Sequence, residues 1–337
     1  MYLEPIFFER NRVARVYTGG KLFGDFFGDE PVDGFLPEEW IASNVRAMNK
    51  ESKDLFEGLS KIKNTGEYFS TLLKKQEKAL LGNQDYRVLT KVLDSAIRLP
   101  AQTHPDKAFS KKYFNSNYGK TECWYILNTR PGAKLYFGFK NGVTKADFEA
   151  AVSASESDPT AMERLMNWVR PKKGQVYFVP AKTVHAIGKG CLILEVQEPT
   201  DFTIQPERFC GNYRLSDEEM YLGLSRETAL KCFDFGPPPQ PFIPPKNLVN
   251  TSTVTVQNLL GPQQTSCFVM NRIQLNNGEH TLLVPNSYVV YVVTSGLGQL
   301  IAKNYTHNLK KGDYFFMPAA LMGKFKIFGS LEIIECY

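Results

Sequence analysis

Histidine is scarce in this chain, with four in 337 residues. Paired cysteines are absent. The six cysteines, at 123, 191, 210, 232, 267 and 336, form no CxxC pair. A chain this long does not need disulfides, so they are read as buried free thiols in a reducing cytoplasm. Long apolar runs are also missing. The longest, "YVVYVV" at 288–293, falls far short of the roughly 20 residues that span a bilayer. The N-terminus carries Glu4 and Glu9 inside its apolar patches and shows no secretory h-region. Net charge is +5, with no Lys/Arg block and no basic–aromatic interleaving. That balance argues against a nucleic-acid partner and against a membrane partner.

Apolar residues are plentiful, at 43% with 13% aromatic. They are enough for a sizeable core and more than one compact unit. From about 50 to 85 the pattern turns helical, and "GEYFSTLLKKQEKALLG" stops at Gly82. A second helical region is expected over 144–168. Thr144 and Asp147 form a capping pair there, and Pro159 sits in a later first turn. "YRVLTKVLD", "GKTECWYILNTRPGAKLYFGF", "QVYFVP" and "GCLILEVQ" read as strands. "SDEEMYLGLSRETALKCFDF" after 215 reads as helix. Six prolines in 236–246 make an extended linker. Beyond 250 almost everything alternates as antiparallel strand. The expected division is 1–235, a linker over 236–249, and 250–337.

The chain also repeats itself. "KKGQVYFVPAKTVHAIGKGCLILE" (172–195) is echoed by "KKGDYFFMPAALMGKFKIFGSLEIIE" (310–335). Two copies of one strand–turn–strand unit imply two β domains of one kind. His185 aligns with Gly323, so a histidine is not needed to build the corner.

"QTHPD" places Gln102 and His104 two residues apart, on one face of an extended segment, and Pro105 favours that conformation. With Glu122 of "KTECWYIL" and His185, the set offers two imidazoles, a carboxylate and an amide oxygen. Such a set suits a borderline divalent ion such as Zn²⁺. Each residue alone has an ordinary explanation. His104 reads as a turn residue before proline, His185 as a hydrogen-bonded core histidine, and Glu122 as a strand-end carboxylate facing water. His280 and His307 sit in polar turn contexts and read as surface residues. Lys91 lies within an apolar strand and needs a partner if it faces inward. Glu195 closes the apolar run "CLILE", a setting that shifts a carboxylate's proton affinity.

"QTHPDK", "GKTECWYIL", "FVPAKTVHAIGKG" and "LEVQEPTD", in this order and spacing, resemble the type I mannose-6-phosphate isomerases of the cupin superfamily. "RVYTGGKLF" and "PEEWIAS" extend the similarity towards the N-terminus, so that it runs over most of 10–235. The resemblance implies a mainly β fold. It has two cupin (jelly-roll, β-sandwich) domains, the first with helices attached and holding metal, the second without ligands. It implies one Zn²⁺ per chain, held by Gln102, His104, Glu122 and His185. It puts pocket lysines at Lys91 and Lys120, with Lys107 close by in sequence, and acidic pocket residues at Glu38, Glu195 and Asp201. The implied reaction interconverts mannose 6-phosphate and fructose 6-phosphate through a cis-enediol. Glu195 and Lys120 are the candidate catalytic groups.

The sequence departs from the family on the substrate side. Gln205 stands where the family has an arginine, so Arg208, or Arg214, becomes the candidate to replace it. Tyr17 replaces the family tryptophan, and Pro100 a small polar residue. Two further readings follow: a metal-containing cupin that binds a sugar phosphate with altered specificity or no turnover, and a structural β-sandwich. The expected partner is a sugar phosphate, and the expected assembly a monomer or homodimer.

Overall fold

The computed structural model describes residues 4–50, 54–238, 240 and 242–337. The first portion of the chain carries β1 (Ile6–Phe7), β2 (Arg12–Val13), α1 (Phe23–Phe27), β3 (Glu38–Ile41), α2 (Phe69–Leu81), β4 (Leu89–Asp94), α3 (Lys107–Phe114), β5 (Glu122–Thr129), β6 (Leu135–Phe139) and α4 (Lys145–Ala154). Next come β7 (Met166–Val169), β8 (Val176–Val179), β9 (His185–Ile187), β10 (Cys191–Gln197), β11 (Phe209–Cys210), β12 (Tyr213–Arg214), α5 (Asp217–Tyr221) and α6 (Arg226–Leu230). The last portion carries β13 (Phe242–Ile243), β14 (Lys246–Asn250), β15 (Val254–Leu260), β16 (Met270–Thr281), β17 (Val289–Ala302), β18 (Tyr305–Lys310), β19 (Tyr314–Met317) and β20 (Lys326–Cys336). The fold is mainly β, as expected.

A seven-stranded antiparallel sheet in the order β13-β8-β5-β10-β4-β3-β2 positions the site. Residues opposite one another on neighbouring strands share a face. Trp40 pairs with Lys91, Lys91 with Glu195, Glu195 with Trp124, and Trp124 with Tyr177. These five side chains therefore form one row across the sheet. Glu38 and Glu122 lie two residues along their strands, on the same face. A three-stranded sheet, β7-β6-β9, belongs to the same core, which Ile126, Leu135, Phe137, Val179, Ala186 and Ile193 help fill.

The other face of the large sheet is apolar. Val92, Cys123, Tyr125, Leu194 and Val196 pack with Val290, Val292 and Ile334 of a second sheet. Burial on both faces explains why β10 reads as a nearly unbroken apolar run.

The second sheet has eight strands, in the order β1-β19-β17-β20-β16-β15-β14 with β18 on β17. The N-terminal strand β1 thus pairs with β19. Register shifts interrupt the β16–β20 and β17–β20 ladders near the point where Gly329 pairs with both Gly278 and Gly298. A Cβ on Gly329 would lie 2.6 Å from Gly298 Cα. Bulges and close-packed glycines bend long strands, and the sheet encloses Ile273, Leu300, Phe315, Ile327 and Ile333.

The repeat is structural. β8 and β10 correspond to β19 and β20, and Glu195 corresponds to Glu335. Lys91 and Trp124 flank Glu195, whereas Asn271 and Tyr291 flank Glu335.

Several local expectations change. Among the described residues, the helix expected over 50–85 is confined to α2, ending at Gly82 with φ of 70°. α4 has the expected capping box at Thr144 and Asp147. Residues 159–168 are not helical: a short 3-10 turn at Glu163–Leu165 leads into β7, which pairs with β6. The stretch after 215 splits into α5 and α6, each with a serine N-cap, around Leu222 in the left-handed region. At the end of the proline-rich stretch, β13 and β14 form edges of the two sheets. Pro239 and Pro241 lie outside the described residues. His280 and His307 are not in turns. They lie half-buried on β16 and β18, and the His307 ring packs tilted against Phe7 with centroids 4.1 Å apart. All six cysteines are free, five of them buried. No helix among the described residues is long and apolar enough to cross a membrane.

Candidate active site

His185 opens β9, and its backbone exchanges two hydrogen bonds of 2.9 Å with Gln102. The segment carrying Gln102 and His104 is therefore laid beside β9 as an extra strand-like piece. The backbone N–H of Lys182 donates to His104 O at 2.7 Å. Gly119 closes the other side. A Cβ there would sit 2.6 Å from Pro105 O, so only glycine lets "GKTE" approach "HPD" so closely. Lys120 N–H donates to Pro105 O at 3.0 Å.

These contacts bring His104, Glu122 and His185 together, with one ligand atom from each within 4.8 Å of the others, all buried. His104 Nε2 is 3.1 Å from Glu122 Oε2, and His185 Nε2 is 3.4 Å from Glu122 Oε1. His104 Nδ1 donates to Phe202 O and His185 Nδ1 to Thr183 O, each at 2.9 Å. Each ring is thereby fixed as the tautomer whose Nε2 lone pair faces the centre, the arrangement that presents imidazole to a metal. Trp124 Nε1 donates to Glu122 Oε1 at 3.0 Å. Gln102 Nε2 lies 3.2 Å from His185 Nε2, and a half-turn of the amide presents its oxygen there instead. Ligands about 2.1 Å from a tetrahedral Zn²⁺ lie about 3.4 Å apart, so the observed N–O separations fit such an ion.

Lys120 Nζ donates to His104 Nε2 at 2.7 Å and to Glu122 Oε2 at 2.6 Å. Burial and the Lys120 charge push His104 down to about 3. Burial likewise lowers His185. For Glu122, burial alone would raise the proton affinity, but Lys120 and the imidazoles outweigh it and hold the carboxyl well below its usual range. The donor set is thus two neutral imidazoles and one carboxylate, the forms that ligate metal.

Glu195 lies beside this group. Its Oε1 is 3.2 Å from Lys91 Nζ and 3.9 Å from Lys120 Nζ. Burial and the charge of Glu122 push it up to about 7, against the two lysines. Glu38 and Asp201 are bridged by Arg15.

No protein-family model matches the chain. Mannose-6-phosphate isomerase ManA of Bacillus subtilis is 29% identical over 336 residues, covering 99% of both chains. A crystal structure of the mannose 6-phosphate isomerase from Bacillus subtilis matches with a TM-score of 0.79 at 25% identity, covering 99% of both chains. Over nearly its full length the chain is similar to mannose-6-phosphate isomerases. The mannose-6-phosphate isomerase of Streptococcus mutans is 26% identical over 338 residues, covering 99% of this chain and 98% of its own. The apo form of the Salmonella typhimurium mannose 6-phosphate isomerase shares the fold, with a TM-score of 0.71 at 16% identity over 100% and 99% of the two chains.

Of the residues singled out by the family resemblance, the structure gathers Gln102, His104, Glu122, His185, Lys91, Lys120, Glu195, Glu38 and Asp201. It does not bring Arg208 to them. That guanidinium is drawn to Glu156 at 2.6 Å and Asp217 at 2.8 Å, and donates to Leu215 O. Arg214 also pairs with Glu156. Gln205 is half-buried, its amide donating to Glu219 O at 3.3 Å. Lys107 is half exposed at the start of α3, 3.6 Å from Glu198. It lines a separate cleft of about 180 Å³ with Asp85, Arg87, Tyr118 and Cys267. The sequence reading missed Arg15, Trp40 and Trp124 as members of the site. Arg15 is the first residue of the family-like "RVYTGG" segment, a signal that could have found it.

Proposed function

We propose that this chain is a zinc-dependent aldose–ketose isomerase that interconverts mannose 6-phosphate and fructose 6-phosphate. One observation carries the reading: a buried His104–Glu122–His185 ligand group adjoins Glu195, whose proton affinity is near neutral and which lies between two lysines. Gln102, His104, Glu122 and His185 would hold one Zn²⁺. A bound Zn²⁺ supplies Lewis acidity that polarises the sugar carbonyl and stabilises developing enediolate charge.

The chain's own residues move the proton. Glu195, ionised, takes the proton from C2 of mannose 6-phosphate. The C2–H electron pair becomes the C1–C2 double bond, and O1 gains a proton from Lys120, giving the cis-enediol. O2 then returns its proton to Lys120, Glu195 delivers its proton to C1, and C2 becomes the ketone carbon. A base near pH 7 balances correct ionisation against driving force. Lys91 and Lys120 offer N–H donors to the sugar or phosphate oxygens. All these groups fall between residues 91 and 195, inside a catalytic domain proposed to span residues 1–235, with 250–337 as a second cupin without ligands. The free thiols support a reducing cytoplasm as its location, and the proposed assembly is a monomer or homodimer.

The test is a coupled isomerase assay. Wild type turns over mannose 6-phosphate, and Glu122→Ala and Glu195→Gln each lose nearly all activity. Full activity in either variant overturns the reading. A second reading, sugar-phosphate binding without turnover, is favoured by Gln205 and by the engagement of Arg208 with Glu156 and Asp217. Tight binding with no solvent exchange of the C2 proton by NMR would select it.

A further inference from the structure

Counting hydrogen bonds divides the charged groups of this pocket into two sets. Arg15 has five N–H donors, and all five are engaged. Nε donates to Glu38 Oε1 at 3.0 Å. One terminal nitrogen donates to Asn49 Oδ1 at 2.9 Å and Asp201 Oδ2 at 3.2 Å. The other donates to Asp201 Oδ1 at 3.0 Å and Glu38 Oε2 at 3.3 Å. Glu38 is equally full. Besides Arg15 it accepts from Tyr17 Oη at 2.6 Å and Trp40 Nε1 at 2.6 Å, which occupies the roughly four lone-pair sites of a carboxylate.

Lys91 and Glu195 form the other set. Lys91 Nζ is 3.2 Å from Glu195 Oε1 and 3.6 Å from Glu38 Oε2. Glu195 Oε1 is buried yet accepts no aligned hydrogen bond. A buried polar atom normally has a partner, so Glu195 and Lys91 keep capacity for a ligand where Arg15 and Glu38 keep none. Lys91 and Arg15 also lie against one ring, Trp40, at 5.6 and 5.2 Å from its centroid. Trp40 stands opposite Lys91 in the β3–β4 ladder.

We propose that Arg15 and Glu38 are positioning residues: they touch no substrate atom and hold the Lys91 ammonium beside Glu195. This rests on the isomerase reading and gives Glu38 a role other than the substrate contact implied by the family resemblance. Arg15 is then the guanidinium built into this pocket, where Gln205 replaces the family arginine. It works through Glu38 and Asp201 rather than on the sugar phosphate.

The test is a double-mutant cycle in the Kd for mannose 6-phosphate, measured by calorimetry on the full chain. Glu38→Gln alone is expected to weaken binding about tenfold, and in the Lys91→Gln background to change it by less than about twofold. Equal weakening in both backgrounds means that Glu38 contacts the ligand itself and overturns the proposal. Arg15→Lys keeps the charge, but one ammonium cannot span Glu38, Asp201 and Asn49. It is expected to match Glu38→Gln, and it runs the same cycle if Glu38→Gln fails to fold. If Lys91→Gln binds too weakly to measure, a crystal structure of either positioning variant decides. Lys91 Nζ withdrawn from Glu195 supports the proposal, and Lys91 unmoved overturns it. Wild type that binds no mannose 6-phosphate sinks the isomerase reading instead.

Discussion

Glu195 and Glu335 occupy the same place in the two halves of an internal repeat. Both are buried, and burial raises the proton affinity of both. Their cross-strand neighbours differ. Glu195 faces Lys91 and Trp124, whereas Glu335 accepts from Asn271 Nδ2 at 2.8 Å and Tyr291 Oη at 2.9 Å. One carboxylate lies among cations with an oxygen that accepts no aligned hydrogen bond, and the other is closed off by neutral donors. The strand framework is therefore shared, and the chemistry depends on the residues opposite one position.

A matched pair of substitutions follows. Glu195→Gln lowers kcat by about 10²–10⁴, the usual worth of a proton-transfer group. Glu335→Gln leaves turnover unchanged within about twofold, because an amide suits neutral donors as well as a protonated acid does. Steady-state assays of the two variants side by side check this.

Trp124→Phe removes the N–H that holds Glu122 Oε1 and keeps the apolar body of the side chain. Loss of an outer partner to a metal ligand typically costs 10–100-fold in metal affinity or activity. Competition against a chelating dye measures the affinity, and thermal unfolding shows the fold intact.

The pH dependence has a definite sign. Glu195 must be ionised to accept a proton, and its proton affinity sits at about 7, so kcat/KM falls below about pH 7. For stability, its folded value lies above the ordinary 4.5. Its contribution is therefore complete below about pH 4.5 and is lost as pH rises through about 7. His104 has the opposite sign. Pushed down to about 3 from 6.5, it supports the metal-free fold above about pH 6.5 and withdraws that support as pH falls towards 3. Denaturant midpoints across this range, for wild type and Glu195→Gln, should diverge in favour of the variant between about pH 4.5 and 7.

Gly119→Ala forces a Cβ to within 2.6 Å of Pro105 O, at the seam that joins Lys120 to His104. Overpacking of this kind costs about 1–3 kcal/mol. Urea unfolding should show that loss, with weaker metal retention alongside.

Arg208→Ala breaks bonds to Glu156, Leu215 O and Asp217, and none to the ligand group. Thermal stability should fall while kcat/KM stays within about twofold. A large loss of kcat/KM in a stable variant would place Arg208 in the reaction after all.

Much of the site was legible because its pieces lie on short motifs. "QTHPD", "KTECW" and "TVHAIG" each carry a ligand at a strand-like position, and the structure joins them by ordinary backbone pairing between Gln102 and His185. Arg15 and Trp40 lie inside the family-like segments "RVYTGG" and "PEEWIAS", but their roles arise only when segments near 15, 38–40 and 201 meet across the sheet. Helix α3 escaped because "KAFSKKYF" is short and basic, although Asp106 caps its start and Asn115 ends it in the left-handed region. The reverse error, helix over 159–168, came from weighting Pro159 above Trp168 and Val169, which pair as strand.

The most direct test strips the purified protein of metal with a chelator, confirms by mass spectrometry that none remains, and measures mannose 6-phosphate turnover before and after zinc is restored. The account predicts that turnover vanishes with the metal and returns with about one zinc ion per chain. Undiminished turnover in the metal-free protein would contradict it.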